Sequence, residues 1–246
     1  MIKQRIFLLC ALLSVAFSSV ATTNDNTTSD VPPADSLKLY QASYKLFRQG
    51  NELGEGYREL SATQSGYSLK AHSKIQWMFL SDSRKERSDF SIVDGIFTPK
   101  QYHFVRTGTG RDREESIDFL GEKIETVYKS NQKTIRPIQL TFDPLLYQLA
   151  LRQDLIDGKE LLSYHMVRRG KQTHYQFERV GKETVNVPYG RVEAIKIKRI
   201  RKKSSRETFI WVAPSLNYSV VKLVQHKDGS EQAQMQLNWI KFDNGK

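Results

Sequence analysis

The chain has 246 residues, with 38 Lys and Arg against 27 Asp and Glu for a formal net charge of +11, and a single cysteine, Cys10. A chain of this length suits one domain or at most two small ones. A lone cysteine in the leader excludes a disulfide scaffold and thiol chemistry from the exported domain, which its core alone must hold together.

The chain opens MIKQRIFLLCALLSVAFSSVATTNDN, with Lys3 and Arg5 ahead of an apolar run from Ile6 to Val20. That run is about 15 residues long, short of the roughly 20 that a membrane helix needs. Ser19-Val20-Ala21 has the small-x-small form of a cleavage site, so residues 1–21 read as a secretory signal cut after Ala21. The charged residues lost with it are Lys3 and Arg5, and the exported chain stays basic. Such an excess expects an anionic neighbour, a membrane surface or a cell-wall polymer; outside the cytoplasm, nucleic acid is not expected. Residues 22–36 are polar, proline-bearing and without apolar period, the composition of a disordered leader.

From residue 37 to 243 the chain reads as one β-rich domain. LYQASYKLF, GYRELSATQ and the long YSLKAHSKIQWMF alternate like strands, and RKERSDFSIV runs into Asp94-Gly95, a strong two-residue hairpin signal. IFTPKQYHFVR leads to the turn TGTG, and ESIDFL with KIETVYK makes a further hairpin about Gly121. One helix interrupts, at about residues 143–156: Asp143 is a good N-cap, Pro144 fits the first helical position and Asp157-Gly158 supplies a left-handed stop. Its polar residues Gln148, Arg152, Gln153 and Asp154 form a narrow stripe, and leucines cover most of the remaining circumference. A helix apolar over so wide an arc is enclosed.

Strands then resume: ELLSYHMVR, QTHYQFERV, ETVNV, RVEAIKIKRIR, ETFIWVA, SVVKLVQ and QAQMQLNWIKF. With Arg169-Gly170 as a turn, Leu162 faces Phe177, Tyr164 faces Tyr175 and Met166 faces Thr173 on an apolar face, while Ser163, His165, His174 and Gln176 share the wet one. The expected fold is mainly β: a single curved antiparallel sheet of about a dozen strands, a half-open or incomplete barrel, covered or plugged by the helix.

Chemistry is sparse. There is no nucleophile elbow, phosphate loop or metalloprotease helix, and GTGRD reads as a hairpin turn. His165 and His174 form a cross-strand pair with no third ligand beside it, and zinc takes three or four. Neither a metal nor a cofactor is expected. Asp112, Glu114 and Glu115 lie beside Arg111 and Arg113 near a hairpin tip and read as a solvated edge. The basic stretch 195–206 puts Lys196, Lys198, Arg199, Arg201, Lys202 and Lys203 forward as contacts to an anionic membrane surface, at about 1 kcal/mol each. Lysines on strand edges also deter edge pairing.

Gly95-x-x-x-Pro99-x-x-Tyr102 precedes the helix opening Asp143-Pro144-Leu145, with Tyr147, Leu149 and Arg152; Tyr175-x-Phe177, Gly181-x-Glu183-x-Val185-x-x-Pro188-x-Gly190 and Phe209-x-Trp211 follow. In this order and spacing the motifs resemble the exported bacterial family catalogued as domain-of-unknown-function 3108, over most of the mature chain. That family has no assigned activity, so the resemblance supplies no catalytic residues. It implies a periplasmic location and a curved sheet with a helix against it. That architecture is similar to the half-open barrels of lipoprotein carriers and related periplasmic lipid-binding proteins, which hold acyl chains.

The favoured expectation is a non-catalytic periplasmic carrier holding an acyl chain, of a lipid or lipoprotein, or another apolar ligand. Leu145, Leu149, Leu151, Tyr164, Tyr175 and Trp211 are the candidate ligand contacts on the concave face. The alternative is an envelope interaction or scaffolding domain with a solid core. A filled or an empty hollow separates the two.

Overall fold

The computed structural model describes residues 37–243. The expected signal peptide (1–21) and polar leader (22–36) lie outside the described residues. Strands β1 (Tyr40–Arg48), β2 (Asn51–Thr63), β3 (Gly66–Trp77), β4 (Leu80–Val93), β5 (Ile96–Gly108), β6 (Arg113–Leu120), β7 (Lys123–Tyr128) and β8 (Asn131–Ile135) form a continuous meander. After β9 (Thr141–Phe142) and helix α1 (Tyr147–Ile156) come β10 (Leu162–Arg168), β11 (Lys171–Val187), β12 (Gly190–Ile200), β13 (Arg206–Ala213), β14 (Ser219–Lys227) and β15 (Ser230–Phe242).

All fifteen strands belong to one sheet, in the order β8-β7-β6-β5-β4-β3-β2-β1-β15-β14-β13-β12-β11-β10-β9. The first and last long strands, β1 and β15, pair antiparallel and join the two meanders at the centre. Fifteen strands stand where about a dozen were expected. The short pieces β8 and β9 are too small to carry an apolar period, and QTHYQFERV and ETVNV are one strand, β11, bent by a bulge between Arg179 and Gly181. The sheet curls until the β10–β11 turn meets the far meander. Arg169 N–H donates to Glu115 Oε1 on β6, and a Cβ on Gly170 would lie 3.3 Å from atoms of Thr126 on β7 and Lys133 on β8. No backbone ladder joins β8 to β9, so the barrel is incomplete.

Period-two alternation sorts the faces. In β1, Tyr40, Ala42 and Tyr44 are buried while Gln41 is exposed. The β10–β11 register is the one its turn predicts: Leu162 opposite Phe177, Tyr164 opposite Tyr175, His165 opposite His174. Turns such as Asp94–Gly95, with φ of 50° and 76°, have the doubly positive φ that a tight hairpin needs.

The helix starts one turn later than expected, at Tyr147 and not at residue 143. Asp143 nonetheless caps the turn that leads into it, because Oδ1 accepts the amides of Leu145 and Leu146, each at 2.8 Å. No residue of α1 is exposed. Tyr147 anchors it to the sheet, with ring centroids 6.1 Å from Tyr164, 5.6 Å from Tyr175 and 6.1 Å from Phe177. Tyr164 Oη–H donates to Asp154 Oδ2 at 2.7 Å, fixing the helix's far end to β10.

Arg152, on the narrow polar stripe of the helix, is only 7% exposed, because both sides of this helix face protein. One reading of charge is corrected. Glu115 does not sit on a solvated edge. It is 2% exposed, since alternation puts it on the concave side, where it accepts the Arg169 amide.

Candidate functional site

A hollow of about 330 Å³ remains between α1 and the concave face of the sheet. That is at the low end of the roughly 300–1,000 Å³ typical of small-molecule pockets. Its apolar wall comes from α1, through Leu149, Leu151 and Leu155, and from Leu69, Ile210 and Met235 on the sheet. Its polar wall holds Arg58, Arg84, Glu86, Arg152, Arg168 and Tyr175.

The charges there do not balance. Arg84 is paired with Asp82, Nε to Oδ1 at 2.8 Å. Among the described residues, Arg58, Arg152 and Arg168 form no ion pair with a carboxylate. The one acid in the wall, Glu86, accepts the Tyr102 hydroxyl at 2.7 Å. Arg58 Nη2 donates to Gln148 Oε1 on the helix. Arg152 Nε donates to the Asn217 carbonyl at 2.6 Å, its guanidinium carbon is 6.0 Å from the Tyr40 ring centroid, and its buried Nη1 has no protein partner. Burial pulls the Arg152 guanidinium below the ordinary arginine value. At Tyr175 burial would raise the phenol, but Arg199 and Arg168 together outweigh it and hold it below its ordinary value. Arg152 is thus a desolvated cation without a counterion, a costly state, so its end of the wall favours a bound anion. Arg58 is half-buried and Arg168 exposed, and at both the neighbouring groups, Glu86 among them, outweigh burial and raise the guanidinium.

The sequence candidates divide. Leu149, Leu151 and Tyr175 line the hollow. Leu145 and Tyr164 are buried beneath the helix without bordering it. Trp211 follows Ile210 in β13 and so lies on the opposite face. There its indole N–H donates to Glu183 Oε1, with the ammonium groups of Lys196 and Lys222 at 5.0 and 5.2 Å from its ring centroid.

The basic stretch is likewise split by alternation. Lys196 and Lys198 pair on the outer face with Glu183 at 3.5 Å and Glu207 at 3.0 Å. Arg199 turns inward over the Tyr175 ring, 3.1 Å from its centroid, and Arg201 donates to Thr208 Oγ1 at 3.0 Å. Lys202 and Lys203 are exposed in the turn after β12.

Sequence reasoning missed Arg58, Glu86 and Arg168. The signal was present: Arg58 lies two residues before buried Leu60, and Arg168 two after buried Met166, so each shares the core face of its strand. The stacked pair His165 and His174, with centroids 4.3 Å apart, sits on the other face of β10 and β11. No cluster of three or more metal-ligating side chains occurs among the described residues. Nor is any described helix long and apolar enough to cross a membrane.

Comparison with known proteins adds a family and a fold. A family model described as a protein of unknown function (DUF3108) matches residues 39–237. No curated protein matches the chain. Among solved structures, a β-barrel-like protein of the domain of unknown function DUF1849 from Brucella abortus aligns over 85% of this chain and 99% of its own, with a TM-score of 0.58 at 11% identity. That is a likeness of fold. A protein described as exported, with a YmcC-like fold, from Bacteroides fragilis aligns with a TM-score of 0.34 at 11% identity, over 82% of this chain and 95% of its own. One described as a lipoprotein, from Parabacteroides distasonis, gives 0.33 at 11% identity, over 83% and 95%.

Proposed function

The chain belongs to the family of proteins of unknown function DUF3108, and from that premise we propose that it is a non-catalytic periplasmic carrier whose hollow holds an acyl chain bearing an anionic head. The observation that carries this reading is the hollow itself, about 330 Å³ left unfilled beneath a helix that the rest of the fold encloses. A scaffold with a solid core has no use for that space. Leu149, Leu151 and Leu155 offer a methylene chain an apolar wall, and Arg58, Arg152 and Arg168 offer a carboxylate or phosphate three guanidinium groups. Burying ten methylenes is worth about 8 kcal/mol, near micromolar affinity before ordering costs.

The export route is the signal read at residues 1–21, and the bilayer is the source and destination of such cargo. Purification from the native host followed by mass spectrometry tests the reading. An acyl-bearing anion released on denaturation is the expected result. Protein that is repeatedly free of lipid, and that takes up neither a fatty acid nor a lysophospholipid, would remove it.

A further inference from the structure

The β-ladder sorts the turns of this molecule into two rims. Since every neighbouring pair from β1 to β8 and from β10 to β15 is antiparallel, successive turns fall at opposite ends of the sheet. One rim holds the turns at 49–50, 78–79, 109–112, 129–130, 169–170, 201–205 and 228–229; the other holds those at 64–65, 94–95, 121–122, 188–189 and 214–218. Contacts between turns bear this out. Thr109 N–H donates to the Ser81 carbonyl at 3.0 Å and Asp228 N–H to the Ser205 carbonyl at 3.0 Å, joining neighbours along the first rim.

The rims differ in charge. The turns of the first carry Arg111, Lys129, Arg169, Arg201, Lys202 and Lys203 against two acids, Asp112 and Asp228. Those of the second carry no cation and two acids, Asp94 and Glu122. The first rim also presents the sequence Trp77-Met78-Phe79-Leu80 at the β3–β4 turn, where Met78 is 80% and Phe79 92% exposed. Val93, Ile96 and Leu120 are exposed on the second rim, but beside its acids.

From this we infer that the basic rim is a docking surface for an anionic lipid bilayer, with Met78 and Phe79 entering the interface. The cations lie on four separate turns spread around an open edge, an arrangement that a broad, fluid sheet of headgroups satisfies and a compact acidic partner does not. Trp and Phe beside basic residues are the side chains that settle at the headgroup level. Screening by salt weakens attraction to the headgroups, whereas insertion of the apolar tip resists it. The rim contact goes beyond the carrier reading, since it holds whether or not the hollow is loaded.

Flotation of the exported protein with vesicles tests it. Binding is expected to phosphatidylethanolamine and phosphatidylglycerol in equal parts, with none to phosphatidylcholine alone, and to fall as salt rises. Lys202→Glu with Lys203→Glu should weaken it by at least about tenfold at low salt. Met78→Ser with Phe79→Ser should weaken it at low and high salt alike. All four of these side chains face solvent, so circular dichroism should report an unchanged fold for both variants. Equal binding to neutral and anionic vesicles, or variants that float like the parent, would overturn the inference. So would a dimer seen by sedimentation without lipid and lost with Phe79→Ser, which would assign the tip to a second copy of the chain.

Discussion

Ser88 Oγ–H donates a 2.6 Å hydrogen bond to Oδ2 of Asp143, so strand β4 holds the turn that launches the helix 55 residues further along the chain. Both residues are fully buried. Oδ1 of the same carboxylate takes the Leu145 and Leu146 amides. Asp143 is thus at once a cap and the pin between helix and sheet. Asp143→Ala should cost about 2–4 kcal/mol, because it strands two amides and a hydroxyl in the core. Asp143→Asn, which keeps an acceptor oxygen, should cost less. Urea unfolding of the two variants checks the order.

The same group sets a pH dependence. Burial, acting against the hydrogen bonds from Ser88, Leu146 and Leu145, pushes the Asp143 carboxyl up to about 6. A raised folded value means the native state holds the proton more tightly than the unfolded chain. Its stabilisation is therefore fully present below the ordinary carboxylate range and is lost as pH rises through about 6. Between those limits it amounts to about 3 kcal/mol at most. Glu115, raised by burial, acts in the same direction. Asp82, whose own partial burial is outweighed by Arg84 and Arg106, is lowered and acts only at more acidic pH. The midpoint of thermal unfolding should fall as pH rises from the carboxylate range toward neutrality, and Asp143→Asn should flatten most of that slope.

The hairpin of β10 and β11 was legible residue for residue, because Arg169-Gly170 fixes the turn and a two-residue loop leaves only one register. The wide apolar arc of α1 likewise announced an enclosed helix. What stayed hidden was the fate of its polar residues. Arg152 sits on the narrow stripe that a surface helix would turn to water, and periodicity along one element cannot reveal a second wall closing over it. Trp211 failed as a guide to the hollow for a simpler reason. Strand parity decides its face, and in a sheet bulged between Trp211 and Val212 the parity is visible only once the partners are known. Within the basic stretch 195–206, Lys196 and Lys198 face outward and Arg199 inward, so their common charge says little about a common surface.

Helix and sheet meet through leucines, and truncating one of them should be felt throughout. Leu155 is 2% exposed, near the last turn of α1 and on the wall of the hollow. Leu155→Ala should cost about 2–5 kcal/mol, since the neighbouring walls are held by the sheet and cannot collapse onto the gap. Its neighbour Ile156 is only partly buried, and Ile156→Val should stay within about 1 kcal/mol. Denaturant midpoints at constant slope would distinguish lost packing from a loosened native state.

Arg58 separates the energetics of the empty protein from those of the loaded one. Its guanidinium borders the hollow, donates to Gln148 and pairs with no carboxylate among the described residues. Arg58 is half-buried and Glu86 on the same wall supports its charge, so replacing it by an apolar side chain of similar reach relieves little desolvation cost, and Arg58→Met should leave the unliganded protein as stable as before or stabilise it by up to about 1 kcal/mol. The lost donor to Gln148 Oε1 limits that gain, since the bond Gln148 keeps, to the Pro144 carbonyl at 3.1 Å, is donated by its Nε2 and leaves Oε1 without a replacement. Binding should move the other way. Decanoate, with a carboxylate for Arg58 to meet, should lose at least about tenfold in affinity, while decanol, which has the same chain and no charge, should bind as before. Calorimetric titration of both probes into parent and variant reads the difference directly. If the two probes weaken equally, Arg58 supports the shape of the hollow and not the charge of its ligand.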